Sequence, residues 1–295
     1  MLPTAIAKRL EEHFTGQALT AIRPTFGGFS NISFALRIGS TPCVLKAAEQ
    51  PGKRNDLRHE ATILGLLAGK RLGAPTCLAL LDDDVWTILV MRRRPGMPGL
   101  QFAPRPVADL IPIYQALGHT LARLHQQTPE ESQIPPPERL AIHMQIGNLA
   151  PRLAELPLPD MLARNLLAAI AHPVWQPSAP RLIHGDAGLH NILWGARGLS
   201  LLDWEWAGWG EPRLDLAWVD WTMRFRRLAP VLWEVFLERY SMTRRASPDL
   251  EPATHNALMM GQIAALLVRS AGRAAAWEEW VRRALWTVAQ AEVAP

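Results

Sequence analysis

Apolar positions recur along the chain with two different spacings. Near the start Ile6, Leu10 and Phe14 lie one helical turn apart, which predicts a helix over residues 4–14. The spacing then drops to two. Phe34, Leu36 and Ile38 alternate with Ala35 and Arg37, the pattern of a half-buried strand. Gly39-Ser40-Thr41-Pro42 supplies a turn, and Cys43-Val44-Leu45-Lys46-Ala47 reads as the next strand. Helical spacing returns over 55–67, where Leu57, Leu64 and Leu67 share a stripe with Glu60. Residues 75–81 and 86–91 read as two more strands, joined by Asp82-Asp83-Asp84, an acidic tip expected to face solvent. Residues 96–106 show no period and read as a linker.

Helix dominates the remainder. Leu110, Tyr114, Leu117, Leu121 and Leu124 mark a long helix over 107–127. The proline-rich stretch 128–180 has room for short helices at 138–145, 148–155 and 159–171. Leu214, Trp218, Trp221 and Phe225 lie on another stripe, and further helices are predicted over 231–240, 254–269 and 274–289. Strands with two helices among them, followed by helices alone, place the chain in the α+β class.

Four features stand out against this pattern. The Gly27-Gly28 pair sits between two strand-like segments. It reads either as a plain hairpin turn or as backbone that approaches a ligand, with Ser30 and Asn31 offering donors to phosphate oxygens. Lys46 lies inside an apolar strand, either snorkelling at an edge or serving a ligand. Glu60 shares the buried stripe of its helix, and an inward acid needs a partner; Lys46 is the natural one. The fourth is the stretch 182–206. Two apolar runs, 181–183 and 199–202, each lead to an acid, Asp186 after His184-Gly185 and Asp203 directly, and Asn191 follows Asp186 by five positions. Two short buried strands flanking a polar loop are expected to form a hairpin that gathers the three side chains. Two carboxylates and a carboxamide suit a hard cation such as Mg²⁺ carried on substrate phosphates. They point to phosphoryl transfer, with Asp186 orienting a hydroxyl and Asn191 and Asp203 holding metal on ATP.

His184-Gly-Asp-x-x-x-x-Asn191 followed by Asp203-Trp204-Glu205 resembles the aminoglycoside phosphotransferase and choline kinase superfamily, relatives of the protein kinases. The resemblance implies a protein-kinase-like bilobal fold. Residues 1–94 would form an N-terminal nucleotide-binding lobe, an antiparallel sheet with a helix, and 95–295 a mainly helical catalytic and substrate-binding lobe. It implies ATP and Mg²⁺ as cosubstrate and cofactor. Asp186 becomes the catalytic base, or more carefully the group that orients the acceptor hydroxyl, and Asn191 and Asp203 the metal ligands. Gly27, Gly28, Ser30 and Asn31 become the nucleotide-covering loop, Lys46 with Glu60 the phosphate-contacting pair, and Met91, Arg92 and Arg94 a hinge whose backbone bonds adenine. The acidic-aromatic pair more common at that hinge is absent here. Asp215 resembles the family aspartate that accepts hydrogen bonds from the catalytic-loop backbone. His125 and His184 read as packing residues, and Glu205 as a support to the metal site or a substrate contact.

Composition adds limits. The 295 residues allow one large domain or two lobes. A net charge of +4 is small and dispersed, its densest run being Arg92-Arg93-Arg94, and gives no reason to expect nucleic acid. Cys43 and Cys77 lie in apolar runs, as free thiols of a reducing compartment do. The N-terminus is charged and unlike a signal peptide, and no apolar run approaches the roughly 20 residues that span a bilayer. A cytoplasmic protein acting on a small-molecule hydroxyl acceptor, with no membrane partner, is expected. Twelve tryptophans are many, and six fall between Trp194 and Trp221. Most read as core. Aromatic faces also attract quaternary ammonium, and choline- and thiamine-type kinases carry a similar Asp-Trp-Glu-aromatic run. A choline- or thiamine-like amino alcohol is therefore the leading acceptor. The alternatives are an aminoglycoside or other antibiotic, met by Glu234, Glu238, Glu278 and Glu279, and a non-catalytic nucleotide-binding pseudokinase.

Overall fold

The computed structural model describes residues 2–25, 32–128, 146, 148–176 and 179–293. The Gly27, Gly28, Ser30 and Asn31 loop and the helix predicted over 138–145 lie outside the described residues. Contacts divide the chain into two compact units: Met1–Gln101 with Leu189–Trp206, and Phe102–Gly188 with Ala207–Pro295.

The first unit is built on alternation. Helix α1 (Thr4–His13) buries Ile6 and Leu10. Strands β1 (Leu19–Pro24), β2 (Ile32–Ile38) and β3 (Thr41–Ala48) lead to helix α2 (Pro51–Leu66), then β4 (Cys77–Asp82) and β5 (Thr87–Arg92). The five strands form an antiparallel sheet in the order β1-β2-β3-β5-β4. Phe34, Leu36, Cys43, Leu45, Ile88 and Val90 share one core with Ile6 and Leu10 of α1. Because strand side chains alternate, the opposite face of β2, β3 and β5 carries Ala35, Val44, Lys46, Leu89 and Met91, matched across the strands as Ala35↔Val44↔Met91 and Lys46↔Leu89. Helix α2 starts four residues before its predicted start at residue 55 because Pro51 occupies the first turn, where its missing N–H costs nothing.

The acidic tip is not simply solvated. Asp82 accepts from Arg58 Nε at 2.7 Å and Nη2 at 2.9 Å and from the Thr87 hydroxyl, and these partners hold its carboxyl down at about 2. Asp83 accepts the backbone N–H groups of Val85 (2.6 Å) and Trp86 (2.7 Å) and pairs with Arg9. The acids tie α1 and α2 to the β4–β5 turn. Cys43 and Cys77 are free thiols.

The predicted linker holds structure too short for any period to reveal: β6 (Met97–Pro98) and a 3₁₀ turn at Gly99–Phe102. The second unit then begins with α3 (Val107–Leu124), α4 (Leu149–Ala154), α5 (Asp160–Ile170) and β7 (Arg181–Ile183). The hairpin of β8 (Ile192–Gly195) and β9 (Gly198–Leu201) belongs to the first unit, where β8 also pairs with β6. In the second unit follow β10 (Gly208–Gly210), α6 (Arg213–Phe225), α7 (Val231–Arg244), α8 (Pro252–Ser270) and α9 (Ala274–Val293). Residues of α4, α5, α6, α8 and α9 share its core. Among the described residues no helix is long and apolar enough to cross a membrane.

One expectation needs correction. The two apolar runs around the Asp186 loop are not partners. Strand β7 pairs with β10, with Leu182 opposite Trp209, whereas β9 pairs with β8, with Ile192 opposite Leu201. Only Ala196 and Arg197 separate β8 from β9, and Gly198 at φ +82° closes the turn, so the nearer strand forms the shorter loop.

Candidate active site

In the first unit two of the sequence-predicted residues, Glu60 and Asp203, gather around the Lys46 ammonium. Lys46 Nζ lies 2.7 and 2.9 Å from the two Glu60 oxygens and 2.8 Å from Asp203 Oδ1. Glu60 is fully buried. Burial opposes the Lys46 charge, but Glu60 and Asp203 outweigh it and hold the ammonium protonated well above its ordinary range. Burial lifts the Glu60 carboxyl, with Lys46 working against that rise.

Asn191 and Asp203 sit at the open end of the β8–β9 hairpin. The Leu202 N–H donates to the Asn191 carbonyl at 2.8 Å, extending the ladder one step past Ile192↔Leu201. Asp203 follows at once, with φ +61°, a left-handed conformation unusual for a residue with a Cβ. Trp204 holds it there. Its indole donates to the Leu201 carbonyl at 2.9 Å and its backbone N–H to Glu60 at 3.3 Å, and its ring is fully buried. The Asp203 side chain stays 37% exposed, while Asn191 is buried. A carboxamide and a carboxylate, both oxygen donors, suit a hard cation whose other ligands come from water and phosphate. Among the described residues no three His, Cys, Asp or Glu side chains gather to hold a metal by themselves.

Of the hinge residues, Met91 and Arg92 end β5 and Arg94 follows it. Met91 is buried on the Lys46 face. Arg92 donates its backbone N–H to the Thr76 carbonyl and Arg93 to that of Pro42, each at 2.9 Å, and Arg94 Nε reaches Ser200 Oγ at 2.9 Å. The sheet itself thus takes the Arg92 and Arg93 N–H groups. Val44 and Leu89, which share the Lys46 face, were not singled out from the sequence, although counting two residues back from Lys46 reaches Val44.

In the second unit the loop His184-Gly185-Asp186 follows β7. Buried Asp215, on the first turn of α6, accepts the N–H groups of His184 (2.8 Å) and Gly185 (2.7 Å). It also contacts His125 Nε2 at 3.0 Å, and His125 Nδ1 lies 2.8 Å from the Tyr240 hydroxyl. A ring carrying its proton on Nε2 satisfies both contacts. Burial works against the Asp215 charge, but the His125 bond and the further donors hold its carboxyl below the usual range. Gly185, at φ +77°, makes the turn, and its carbonyl accepts from Gln262 Nε2 at 2.8 Å. His184 Nδ1 accepts the Asp186 N–H at 3.2 Å, so His184 braces the loop from behind. Asp186 is half-buried, and its Oδ1 accepts the Trp218 indole N–H at 2.7 Å.

Of the six clustered tryptophans, Trp204, Trp209, Trp218 and Trp221 are buried, and Trp194 and Trp206 are partly exposed. Trp218 stacks on Trp221 at 4.6 Å and 9°.

The model of the phosphotransferase enzyme family APH matches residues 21–253. No curated protein matches the sequence. Among solved structures, the fold is similar to aminoglycoside phosphotransferase APH(4)-Ia (TM-score 0.70, 17% identity, 99% of each chain covered). A thermostable mutant of that protein was solved in a ternary complex with ADP and hygromycin B. It is also similar to macrolide 2′-phosphotransferase MphH from Brachybacterium faecium (0.65, 20%, 95% of this chain and 98% of that one) and to choline kinase from Cryptosporidium parvum Iowa II (0.64, 13%, 98% and 94%).

Proposed function

The chain belongs to the APH phosphotransferase enzyme family, and from that premise we propose that it transfers the γ-phosphoryl group of ATP to a hydroxyl of a small molecule. The observation that carries this reading is the cluster of Lys46, fully buried Glu60 and partly exposed Asp203. A structural ion pair needs one carboxylate. A second one, on a strained and partly exposed residue beside Asn191, gains a use when a metal-bound nucleotide arrives. Lys46 is then positioned for phosphate oxygens, and Ala35, Val44 and Met91 offer an apolar surface on the same sheet face for the adenine. Gly27, Gly28, Ser30 and Asn31 are proposed to cover the phosphates, and Arg92 and Arg94 to flank the base. Mg²⁺, held by Asn191 and Asp203, would neutralise charge on the phosphates.

Asp186 orients the acceptor hydroxyl. The acceptor oxygen bonds to the γ-phosphorus, the bond from that phosphorus to the bridging oxygen of ADP breaks, and the hydroxyl proton passes late to the Asp186 carboxylate. A pseudokinase has no need of Asp186 together with the full charge cluster.

For the acceptor, a choline- or thiamine-like amino alcohol comes first. The burial of four of the six tryptophans leaves Trp194 and Trp206 as the aromatic faces of that run still partly open. The antibiotic alternative loses Glu279, whose carboxylate is engaged by Arg282 and Arg283. The test is ADP release with MgATP over a panel of alcohols, amino alcohols, sugars and aminoglycosides, run beside Asp186→Ala. We expect at least one acceptor to accelerate release, and Asp186→Ala to abolish turnover while binding ATP nearly as before. Turnover undiminished in Asp186→Ala removes the role given to that residue. No release with any acceptor favours the pseudokinase.

A further inference from the structure

The Asp186 loop is held at three points by buried groups of its own unit. Asp215 takes the N–H groups of His184 and Gly185, Gln262 donates to the Gly185 carbonyl, and the Trp218 indole donates to the Asp186 carboxylate. The first two contacts fix backbone. The third fixes a side chain, and it comes from an indole with little freedom of its own. Trp218 is 2% exposed, stacks on Trp221, and lies 6.3 Å from the Trp280 ring. It also sits one turn after Asp215 on α6, so a single helical turn grips both the backbone and the carboxylate of the loop.

We propose that Trp218 is a positioning residue for catalysis: its indole N–H sets the rotation of the Asp186 carboxylate. This rests on the reading of Asp186 as the residue that orients the acceptor. Two observations separate it from plain packing. A 2.7 Å N–H···O contact to a carboxylate oxygen has the length of a charge-assisted bond. An indole also donates only, so it holds an oxygen that accepts. Trp221 shows what a packing indole of the same stack does: its N–H goes to the Thr287 hydroxyl at 2.8 Å.

The test compares Trp218→Phe, Trp221→Phe and Asp186→Ala by ADP release from MgATP with water as the acceptor. Trp218→Phe keeps a ring in the stack and loses the N–H. Its kcat should fall on the order of 10- to 100-fold, the cost of a misaligned catalytic group, with KM for MgATP unchanged. Trp221→Phe, which thins the same stack but leaves the Trp218 N–H in place, should lower kcat several-fold less than Trp218→Phe does. Equal kcat in the two variants overturns the proposal. If Asp186→Ala is dead and Trp218→Phe turns over at the wild-type rate, the role of Asp186 stands and that of Trp218 falls. If Asp186→Ala keeps wild-type turnover, both fall. A readout independent of turnover and of how the Phe variant folds is the indole Nε1–H resonance of Trp218. It should move in Asp186→Asn while that of Trp221 stays; a stationary Trp218 signal overturns the hydrogen bond.

Discussion

Lys46 is one cation set between two anions. Removing it leaves Glu60 with no ammonium in a fully buried position, and an uncompensated buried charge costs about 3–5 kcal/mol. Lys46→Met should therefore lower the urea midpoint markedly as well as weaken ATP binding, whereas Asp203→Ala, which leaves the Lys46–Glu60 pair intact, should cost much less stability and remove the Mg²⁺ dependence of nucleotide binding. A Lys46→Met protein as stable as the wild type would show that Glu60 is not held as an ion. The charged residues were legible in the sequence because each contradicts its surroundings: a lysine in an apolar strand, a glutamate on a buried stripe, acids at the ends of apolar runs. Trp218 contradicts nothing. On the stripe of Leu214, Trp221 and Phe225 its spacing says core, which is correct for the ring, and no spacing reports where an indole N–H points. The Asp82-Asp83-Asp84 run misleads in the opposite sense, because the arginines that engage it lie 24 and more residues away in sequence.

At the scale of elements, long periodic stretches were legible; of the shortest strands, β7 was legible as the apolar run 181–183 but its partner was not. Helices α1, α3 and α8 begin within two residues of their predicted starts, and α6 covers its predicted stripe from Leu214 to Phe225, since several turns of apolar spacing define each of them. Strands β6, β7 and β10 hold two or three residues, too few for alternation, and the partner of such a strand depends on the rest of the fold. That is why the sequence alone pairs β7 with β9 where the fold pairs it with β10. Packing between helices is also invisible to periodicity. Helix α3 runs close enough to α7 that a Cβ on Gly118 would overlap the Phe236 carbonyl oxygen. Gly118→Ala should destabilise the second unit by about 1–3 kcal/mol through overpacking, despite the better helix propensity of alanine. Thermal unfolding followed by far-UV circular dichroism checks this, and an unchanged or raised midpoint would mean that α3 and α7 are farther apart.

For the whole molecule, the residues assigned to nucleotide and metal lie in one unit. Lys46, Glu60, Met91, Asn191 and Asp203 all belong to Met1–Gln101 with Leu189–Trp206. MgATP should accordingly slow amide hydrogen exchange most in β3, β5 and the β8–β9 hairpin. Slowing confined to the other unit would contradict the proposed nucleotide site. The hairpin that completes this set reaches its unit only after the chain has built α3, α4, α5 and β7 elsewhere. A polypeptide cut after residue 101 would carry Lys46 and Glu60 without Asp203, and β6 without its β8 partner. Residues 1–101 made alone should therefore be poorly folded and rescued by a separate 102–295 chain that supplies the missing hairpin. On this expectation the first unit is open to fragment complementation and closed to simple excision at residue 101.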